Sequence, residues 1–376
     1  MKVTLDRDAL VKAMTRLARV IERRNTIPII SNIHIEANED GLALKATDLD
    51  LELRDRVRCD VIEPGCLTVP ANTLLDIARK LSAGAQVALE TDSAEMGDKQ
   101  LIVRSGRSRF KLNALAATDF PDMDAGEATH TFTLASADFK ALIDKTQFAI
   151  STEETRYYLN GIYLHHAEEA LDGAGSLRAV ATDGHRLAQF DTITPDGAPG
   201  MPGIIIPRKA VAEIFKLVED CEIVQVALSS SKIRLTFGGV TLTSKLIDGT
   251  FPDYRRVIPN SNDKRLVVDR EEFRRAVDRV SAIAGDRGRA IKLTLADNKI
   301  ICLVTNPDAG SAMEEIEAEY GADKLDIGFN AKYLLDITAH LEGHTALITL
   351  ADSGSPTLIQ DREGAAALYV LMPMRV

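Results

Sequence analysis

Val3–Met14 reads VTLDRDALVKAM, a short apolar/polar alternation that runs through Asp6 into a helical pattern. The same arrangement recurs as FTLASADFKALI from Phe132 and as LVVDREEFRRAV from Leu266. Leu10, Phe139 and Phe273 fall at one place in the three copies, 129 and 134 residues apart. Asp6, Ser136 and Asp269 stand where a side-chain oxygen would satisfy the first free N–H groups of a helix. A second set follows in the same order: VPANTLLDIARKL from Val69, IPRKAVAEIFKLV from Ile206 and FNAKYLLDITAHL from Phe329. Each is a strand end entering a helix of about three turns. RFKLNALAATDFPDM from Arg109 and TLTSKLIDGTFPDYR from Thr241 close the first two units with a shared Phe-Pro-Asp, whereas the last ends in ALYVLMPMRV. Two motifs repeated three times in order predict three similar α+β domains, 1–126, 127–259 and 260–376. Between the motifs, stretches such as DGLALKATDLDLELR and KLTLADNKIICLV alternate between turn signals, as antiparallel strands do.

The chain has 376 residues, 45% hydrophobic and 27% charged, which excludes a disordered chain, a collagen and a coiled coil. The longest apolar stretch, Gly364–Pro373, falls short of the ~18 residues a membrane helix needs. MKVTLDRDAL does not read as a signal peptide, and Cys59, Cys66, Cys221 and Cys302 form no CxxC pair. Reduced thiols in a cytoplasmic protein are expected, with no disulfide framework and no metal site. The net charge is −11, spread as 18 Lys/Arg against 20 Asp/Glu, 13 against 17, and 14 against 19 over the three thirds. Any anion-binding surface must therefore be a local stripe.

The helix after Asp6 predicts one. Lys12, Arg16, Arg19 and Arg23 are spaced i, i+4, i+7, i+11 and fall on one face, opposite Leu10, Met14, Leu17 and Ile21. In the third copy Arg275 and Arg279 lie opposite Phe273, Val277 and Val280; in the second, Lys145 matches but Ala141 replaces Lys12. Trp is absent, and no aromatic cluster accompanies the stripe, so contacts to phosphates without base reading are expected.

Enzyme signals do not assemble. There is no P-loop; Gly173 and Gly175 lack a third glycine at Arg178; His340 and His344 have metal spacing, but Gly343 should end that helix. Ser229 and Lys232 fit S-x-x-K within a polar turn, and Asp183 and His185 flank an Asp-Gly turn signal. No catalytic residue and no cofactor are expected.

RYYLNG (Arg156–Gly161), ATDGHRLA (Ala181–Ala188), IPRKA (Ile206–Ala210), SKLIDGTFPDYRRV (Ser244–Val257), IGFNAKYLLD (Ile327–Asp336) and the terminal VLMPMRV resemble the bacterial sliding-clamp family, the β subunits of DNA polymerase III holoenzyme. SGRSRF (Ser105–Phe110) and TIPIISN (Thr26–Asn32) fit as well, so the resemblance spans the chain. It implies a DNA-clamp fold, three similar domains each with two helices and two antiparallel sheets, in a ring-shaped head-to-tail homodimer around duplex DNA. Bead geometry agrees: domains of roughly 35 Å leave almost no hole in a ring of three, and about 35 Å in a ring of six.

The resemblance also implies sites. A partner-peptide cleft would take Leu159, Thr182, Gly184, His185, Arg186, Leu187, Pro252, Arg256 and Val257 from one side. Asn330, Tyr333, Val370, Leu371, Met372, Pro373, Met374 and Arg375 would complete it, with Gly288 at the rim where some members place a phenylalanine. DNA contacts would add Arg24, Tyr157, Tyr158, Arg208 and Lys209 to the stripe residues; Glu153 stands where the family has glutamine. The ring seam would join Arg107, Arg109, Phe110 and Leu112 of the first domain to the third. There Ile283 matches, Ala284 replaces a larger residue, and Glu314, Glu315, Glu317 and Glu319 supply opposite charge. The implied partners are a clamp loader, the replicative polymerase and other proteins carrying a clamp-binding motif, and no membrane. Two other readings remain: a peptide-binding scaffold that never encloses DNA, and a hydrolase centred on Asp183 and His185.

Overall fold

The computed structural model describes residues 1–22, 26–93, 99–168, 175–285 and 290–376. Among them are six α-helices, two to each third: α1 (Arg7–Leu17), α2 (Ala71–Lys80), α3 (Ser136–Asp144), α4 (Arg208–Leu217), α5 (Arg270–Ser281) and α6 (Ala331–His340). Asp6 caps α1, its Oδ1 accepting the N–H groups of Asp8 (2.8 Å) and Ala9 (3.1 Å), and Asp269 Oδ1 accepts from Glu272 N at 2.8 Å. Each such cap is worth about 1 kcal/mol. Ser136 is the first residue of α3, and its hydroxyl lies 3.1 Å from Cys221 Sγ. The apolar faces repeat as the sequence does. α1 buries Leu10, Ala13, Met14 and Leu17, and α5 buries Phe273, Ala276, Val277 and Val280, one i, i+3, i+4, i+7 stripe in both.

α1 is shorter than its cationic periodicity predicts. It stops at Leu17, and Val20 N bonds Leu17 O in a tighter turn that buries Val20 and Ile21. Burial of those two residues draws the chain off the helix axis; the spacing of solvent-facing cations offers nothing to oppose it.

The chain forms two compact units, Met1–Ser136 with Ala212–Leu246, and Ala137–Val211 with Ile247–Val376. The first unit holds a five-stranded sheet ordered Asp60–Glu63, Lys2–Asp6, Gln86–Ser93, Lys99–Ser105, Ser108–Asn113. Its eight-stranded sheet runs His130–Ala135, Ile223–Leu228, Lys232–Phe237, Val240–Lys245, Leu51–Val57, Gly41–Thr47, Asn32–Asn38, Gly65–Pro70. The second unit holds a nine-stranded sheet of Ile204–Pro207, Gly161–Ala167, Ser176–Thr182, Arg186–Ile193, Ala367–Leu371, Thr357–Gln360, Thr345–Leu350, Lys264–Asp269 and Glu319–Tyr320. Its four-stranded sheet is Gly310–Glu317, Lys299–Asn306, Ala290–Ala296, Leu325–Asn330. All recorded pairings are antiparallel.

Each third contributes two sheets, but neighbouring thirds fuse them edge to edge. In the first unit Leu51–Val57 pairs with Val240–Lys245, Leu51 opposite Ser244. In the second, Arg186–Ile193 pairs with Ala367–Leu371, Arg186 opposite Leu371. The ladders that lead back from Pro70 and Pro207, just ahead of α2 and α4, make Leu51 and Arg186 equivalent positions. The ladders that lead forward from the strands ahead of α3 and α5 make Ser244 and Leu371 equivalent as well. Both fusions therefore share one strand rule and one register.

Candidate functional site

The fusion in the second unit carries an apolar cleft of about 170 Å³. Its floor belongs to a buried cluster of Leu159, Val180, Leu187, Ile205, Phe251, Tyr254 and Val370. Leu187 and Val370 are paired across the fused strands, so one face of the ladder supplies both. Thr182, Gly184, Arg186, Pro252, Asp253, Val257 and Met372 form the remaining lining. Val257 and Met372 are exposed, an adaptable apolar rim above a buried floor.

A turn and a salt-bridge hub fix the rim. Asp183 Oδ1 accepts the N–H groups of His185 (2.9 Å) and Arg186 (3.0 Å), and Gly184 occupies φ +88°, where a side chain would be strained. Arg186 is buried and its guanidinium is shared out: Nε to Asp183 at 3.0 Å, Nη1 to Asp336 at 2.6 Å, Nη2 to the Phe148 carbonyl at 2.6 Å. It also lies over the Tyr333 ring at 4.2 Å, while His185 stacks on that ring's plane. The hub ties the turn to α6, and Asp183 and His185 are accounted for as a turn. The terminal segment is held by Met372 N to the His185 carbonyl (2.9 Å) and Met374 N to the Gly328 carbonyl (2.8 Å).

Behind the cleft, Tyr254 hydroxyl lies 2.9 Å from His165 Nε2 and 3.3 Å from Arg178 Nη1. His165 Nδ1 faces the His166 carbonyl at 3.0 Å, so the proton sits on Nδ1 and Nε2 accepts from the tyrosine. Burial holds His165 below the usual histidine range, with the Arg178 and Arg255 charges adding to it. Arg178 grips Asp191 through two nitrogens at 2.7 and 2.6 Å.

Nine of the expected cleft residues line the cavity: Leu159, Thr182, Gly184, Arg186, Leu187, Pro252, Val257, Val370 and Met372. Tyr333 and Arg256 touch lining residues, Tyr333 lying under Arg186 and Arg256 bonding Asp253 at 2.9 Å, and His185 meets the Tyr333 ring. Asn330 caps α6 through Lys332 N at 3.0 Å. Leu371 is a correction: it is fully buried beside Val370, and strand alternation turns it to the opposite face of the sheet. Gly288 lies outside the described residues. The sequence reading missed Asp253 and Tyr254, although both belong to the quoted FPDY run. It also missed Phe148 and Asp336; the i, i+3 spacing of Tyr333 and Asp336 on α6 was the available signal.

Among the described residues, the cations of the first helix and the turn after it lie beside carboxylates. Arg16 is mostly buried, with Nη1 on Asp55 at 3.0 Å and Nη2 on Asp220 at 2.6 Å. Burial opposes its charge, but the hydrogen bonds to Asp220 and Asp55 outweigh it and raise its pKa. Lys12 lies 3.9 Å from Asp220, and Arg19 lies 3.9 Å from Glu213. Lys145 is a second correction. It is buried, donates to the His340 carbonyl at 2.7 Å and pairs with Glu342 at 2.6 Å, so it holds α6 rather than facing solvent. Arg275 is exposed 3.9 Å from Glu271, and Arg279 bonds Glu314. Tyr157 and Arg208 are exposed, Lys209 is half-buried, and Tyr158 packs against the cleft cluster. Arg23 and Arg24 lie outside the described residues.

The expected seam residues sit on sheet edges. Arg109, Phe110 and Leu112 belong to Ser108–Asn113, an edge strand of the five-stranded sheet, and Arg107 is in the turn before it. Glu314, Glu315 and Glu317 belong to Gly310–Glu317, an edge strand of the four-stranded sheet. Ile283 follows α5, and its carbonyl accepts from Asn306 Nδ2 at 2.8 Å. Glu319 is a third correction: it pairs within the nine-stranded sheet and is not on that edge. Among the described residues, no group of histidine, cysteine and carboxylates could hold a metal, and no helix is long and apolar enough to cross a membrane.

Three repeated α+β units with sheets fused edge to edge define a DNA-clamp fold. Family models agree along the chain: DNA polymerase III beta subunit N-terminal domain at residues 1–124, central domain at 133–253 and C-terminal domain at 255–375. The chain is 48% identical over 377 residues to the beta sliding clamp of Caulobacter vibrioides and 36% over 378 residues to that of Escherichia coli K12, covering all of each. Among solved structures, it matches a griselimycin-bound sliding clamp from Bartonella birtlesii with TM-score 0.95 and 49% identity, covering both chains fully. It matches a C. crescentus beta sliding clamp with TM-score 0.97 and 47% identity, covering 100% of this chain and 99% of that one. The chain belongs to the DNA polymerase III beta subunit family, the processivity clamps of DNA replication.

Proposed function

We propose that two copies of this chain close head to tail into a ring of six domains, bounded in each copy near 126/127 and 259/260, that encircles duplex DNA and slides on it. The observation that carries this reading is the strand rule at the two internal fusions. In both, the strand after the Thr-Asp turn of one third pairs with the last strand of the next third. The rule leaves one strand of each kind: Gly310–Glu317 in the last third and Ser108–Asn113 in the first, both sheet edges. Applied between copies, the shared register sets Ser311 opposite Lys111, Ala312 opposite Phe110 and Arg107 opposite Glu315. Arg107 then meets Glu315 directly, an opposite-charge pair across the antiparallel ladder, with Arg109 one step diagonal to Glu315 on the same face. Pairing also removes two exposed strand edges, which otherwise invite aggregation.

The cleft takes a short apolar peptide from the replicative polymerase, the clamp loader or another DNA-processing partner; a relative is described as bound to griselimycin. The protein acts in the cytoplasm without catalysis of its own. It would raise the polymerase's effective concentration at the primer end, and topology would hold it there. The test is retention on nicked circular DNA after loading with a clamp loader and ATP, at salt that abolishes ordinary phosphate binding. Retention that is lost when the circle is cut is the expected result. With the loader verified on a control clamp, absence of salt-resistant retention would favour a scaffold that does not enclose DNA.

A further inference from the structure

We propose that Lys12 and Arg16 form a phosphate site that the chain fills with its own carboxylate, Asp220, and that a DNA phosphate binds there by displacing it. The inference rests on the reading that duplex DNA runs past α1. Asp220 Oδ2 accepts from Arg16 Nη2 at 2.6 Å and lies 3.9 Å from Lys12 Nζ. The Arg16 hydrogen bond, with the charges of Arg16, Lys12 and Arg19, holds its pKa below the usual carboxylate range. Asp220 thus sits where a bound anion would.

The two carboxylates on Arg16 differ in kind. Asp55 is buried, its side chain 5% exposed, and it fixes Nη1 at 3.0 Å. Asp220 is 47% exposed, at the end of a three-residue 3-10 turn, Val218–Asp220, and it holds the other edge of the guanidinium. One partner positions the fork and the other can leave. A guanidinium fork accepts carboxylate and phosphate oxygens in the same geometry, so an incoming phosphate can take the vacated place.

The consequence is exchange rather than addition. A phosphate that replaces Asp220 gains one charge-assisted contact as another is lost, and the net attraction per site is small. A protein that topology holds on DNA benefits from such weakness, since strong phosphate contacts would slow its sliding. Arg279, bonded to Glu314, and Arg275, 3.9 Å from Glu271, repeat the countercharge on α5.

The experiment measures binding of the full-length protein to a short labelled linear duplex by fluorescence anisotropy, from about 50 to about 300 mM salt. The proteins are wild type, Asp220→Asn and Lys12→Gln. Asp220→Asn is expected to bind ~3–10-fold tighter at the low end, with the slope of log affinity against log salt steeper by about one per chain. Lys12→Gln changes a solvent-exposed side chain that does not threaten the fold, and it is expected to bind more weakly with a shallower slope. Asp220→Asn with wild-type melting but unchanged affinity and slope would overturn the proposal. If that variant unfolds, Lys12→Gln binding as wild type would overturn it instead. Wild-type loading on the nicked circle is run in parallel. Its failure would count against the ring itself, whereas success beside an inert Asp220→Asn would sink only the self-filled site.

Discussion

The two strand fusions use one turn and differ in what surrounds it. In the first unit Thr47 Oγ1 donates to the Leu51 carbonyl (2.9 Å), and Asp48 Oδ1 accepts from the N–H groups of Asp50 (2.9 Å) and Leu51 (2.7 Å). Lys245 N closes the turn on the Asp50 carbonyl (2.9 Å). In the second unit Thr182, Asp183, His185, Arg186 and Met372 N make the same bonds at 2.7 to 3.0 Å. The side chains then diverge. Glu52 stands in the place of Leu187, buried and bonded to Arg54 Nε (2.6 Å) and Met123 N (3.0 Å). Thr243 replaces Val370, and Lys245, paired with Asp50, replaces Met372. One fusion is a polar joint and the other an apolar cleft. Backbone pairing therefore holds the thirds together, and a handful of substitutions on that backbone decides which joint is polar and which is an apolar cleft.

The comparison breaks most visibly at Arg186 and Leu51, which share a ladder position. Arg186→Met should cost about 3 kcal/mol or more, because Asp183 and Asp336 are left as partly buried, unpaired carboxylates. Leu51→Met should cost less than about 1.5 kcal/mol. Urea denaturation of both variants checks this, and equal costs would mean that Arg186 is not a hub.

Transplanting the polar rim comes next. Met372→Lys should weaken replicative-polymerase binding about tenfold by surface plasmon resonance, with little change in melting, since it removes an apolar rim contact. An unchanged Kd would place the peptide elsewhere.

A smaller effect follows from His165. Its folded pKa is depressed, so below about pH 6.5 the unfolded chain takes up a proton that the folded chain resists, and stability falls as pH drops. His165→Gln should flatten the loss in urea midpoint between about pH 7.5 and about pH 5.5. His34, lowered by burial first and by Lys45, adds the same trend in the first unit, so His34→Gln should flatten it too.

The smallest effect lies at the turn itself. Leu49 holds φ +80° where Gly184 holds +88°. Leu49→Gly should raise stability by about 0.5–1 kcal/mol and Gly184→Ala should lower it by about 1 kcal/mol, read from thermal melts.

The sequence carried the periodic features because they are local. Caps at Asp6 and Asp269 and the stripes that follow depend on neighbours a few residues away. The apolar cleft was legible through the runs ATDGHRLA and VLMPMRV, not through any pattern of spacing. Lys145 misled, and the countercharge on Arg16 stayed hidden, because their partners, Glu342 and Asp220, lie about two hundred residues along the chain, and helical spacing does not report a distant carboxylate. The sheet fusions were hidden for the same reason: edge pairing is decided by which edges the tertiary fold leaves open.

If two copies close a ring by the same register, a pair of engineered cysteines reports it. Lys111→Cys with Ser311→Cys in one chain should give a covalent dimer on a non-reducing gel, because directly opposite residues lie about 4.5–5.5 Å apart, within disulfide reach. Moving the partner one residue, to Ala312→Cys, turns it to the other face and should abolish the cross-link. A dimer that forms equally with both pairs, or with neither, would contradict the shared register.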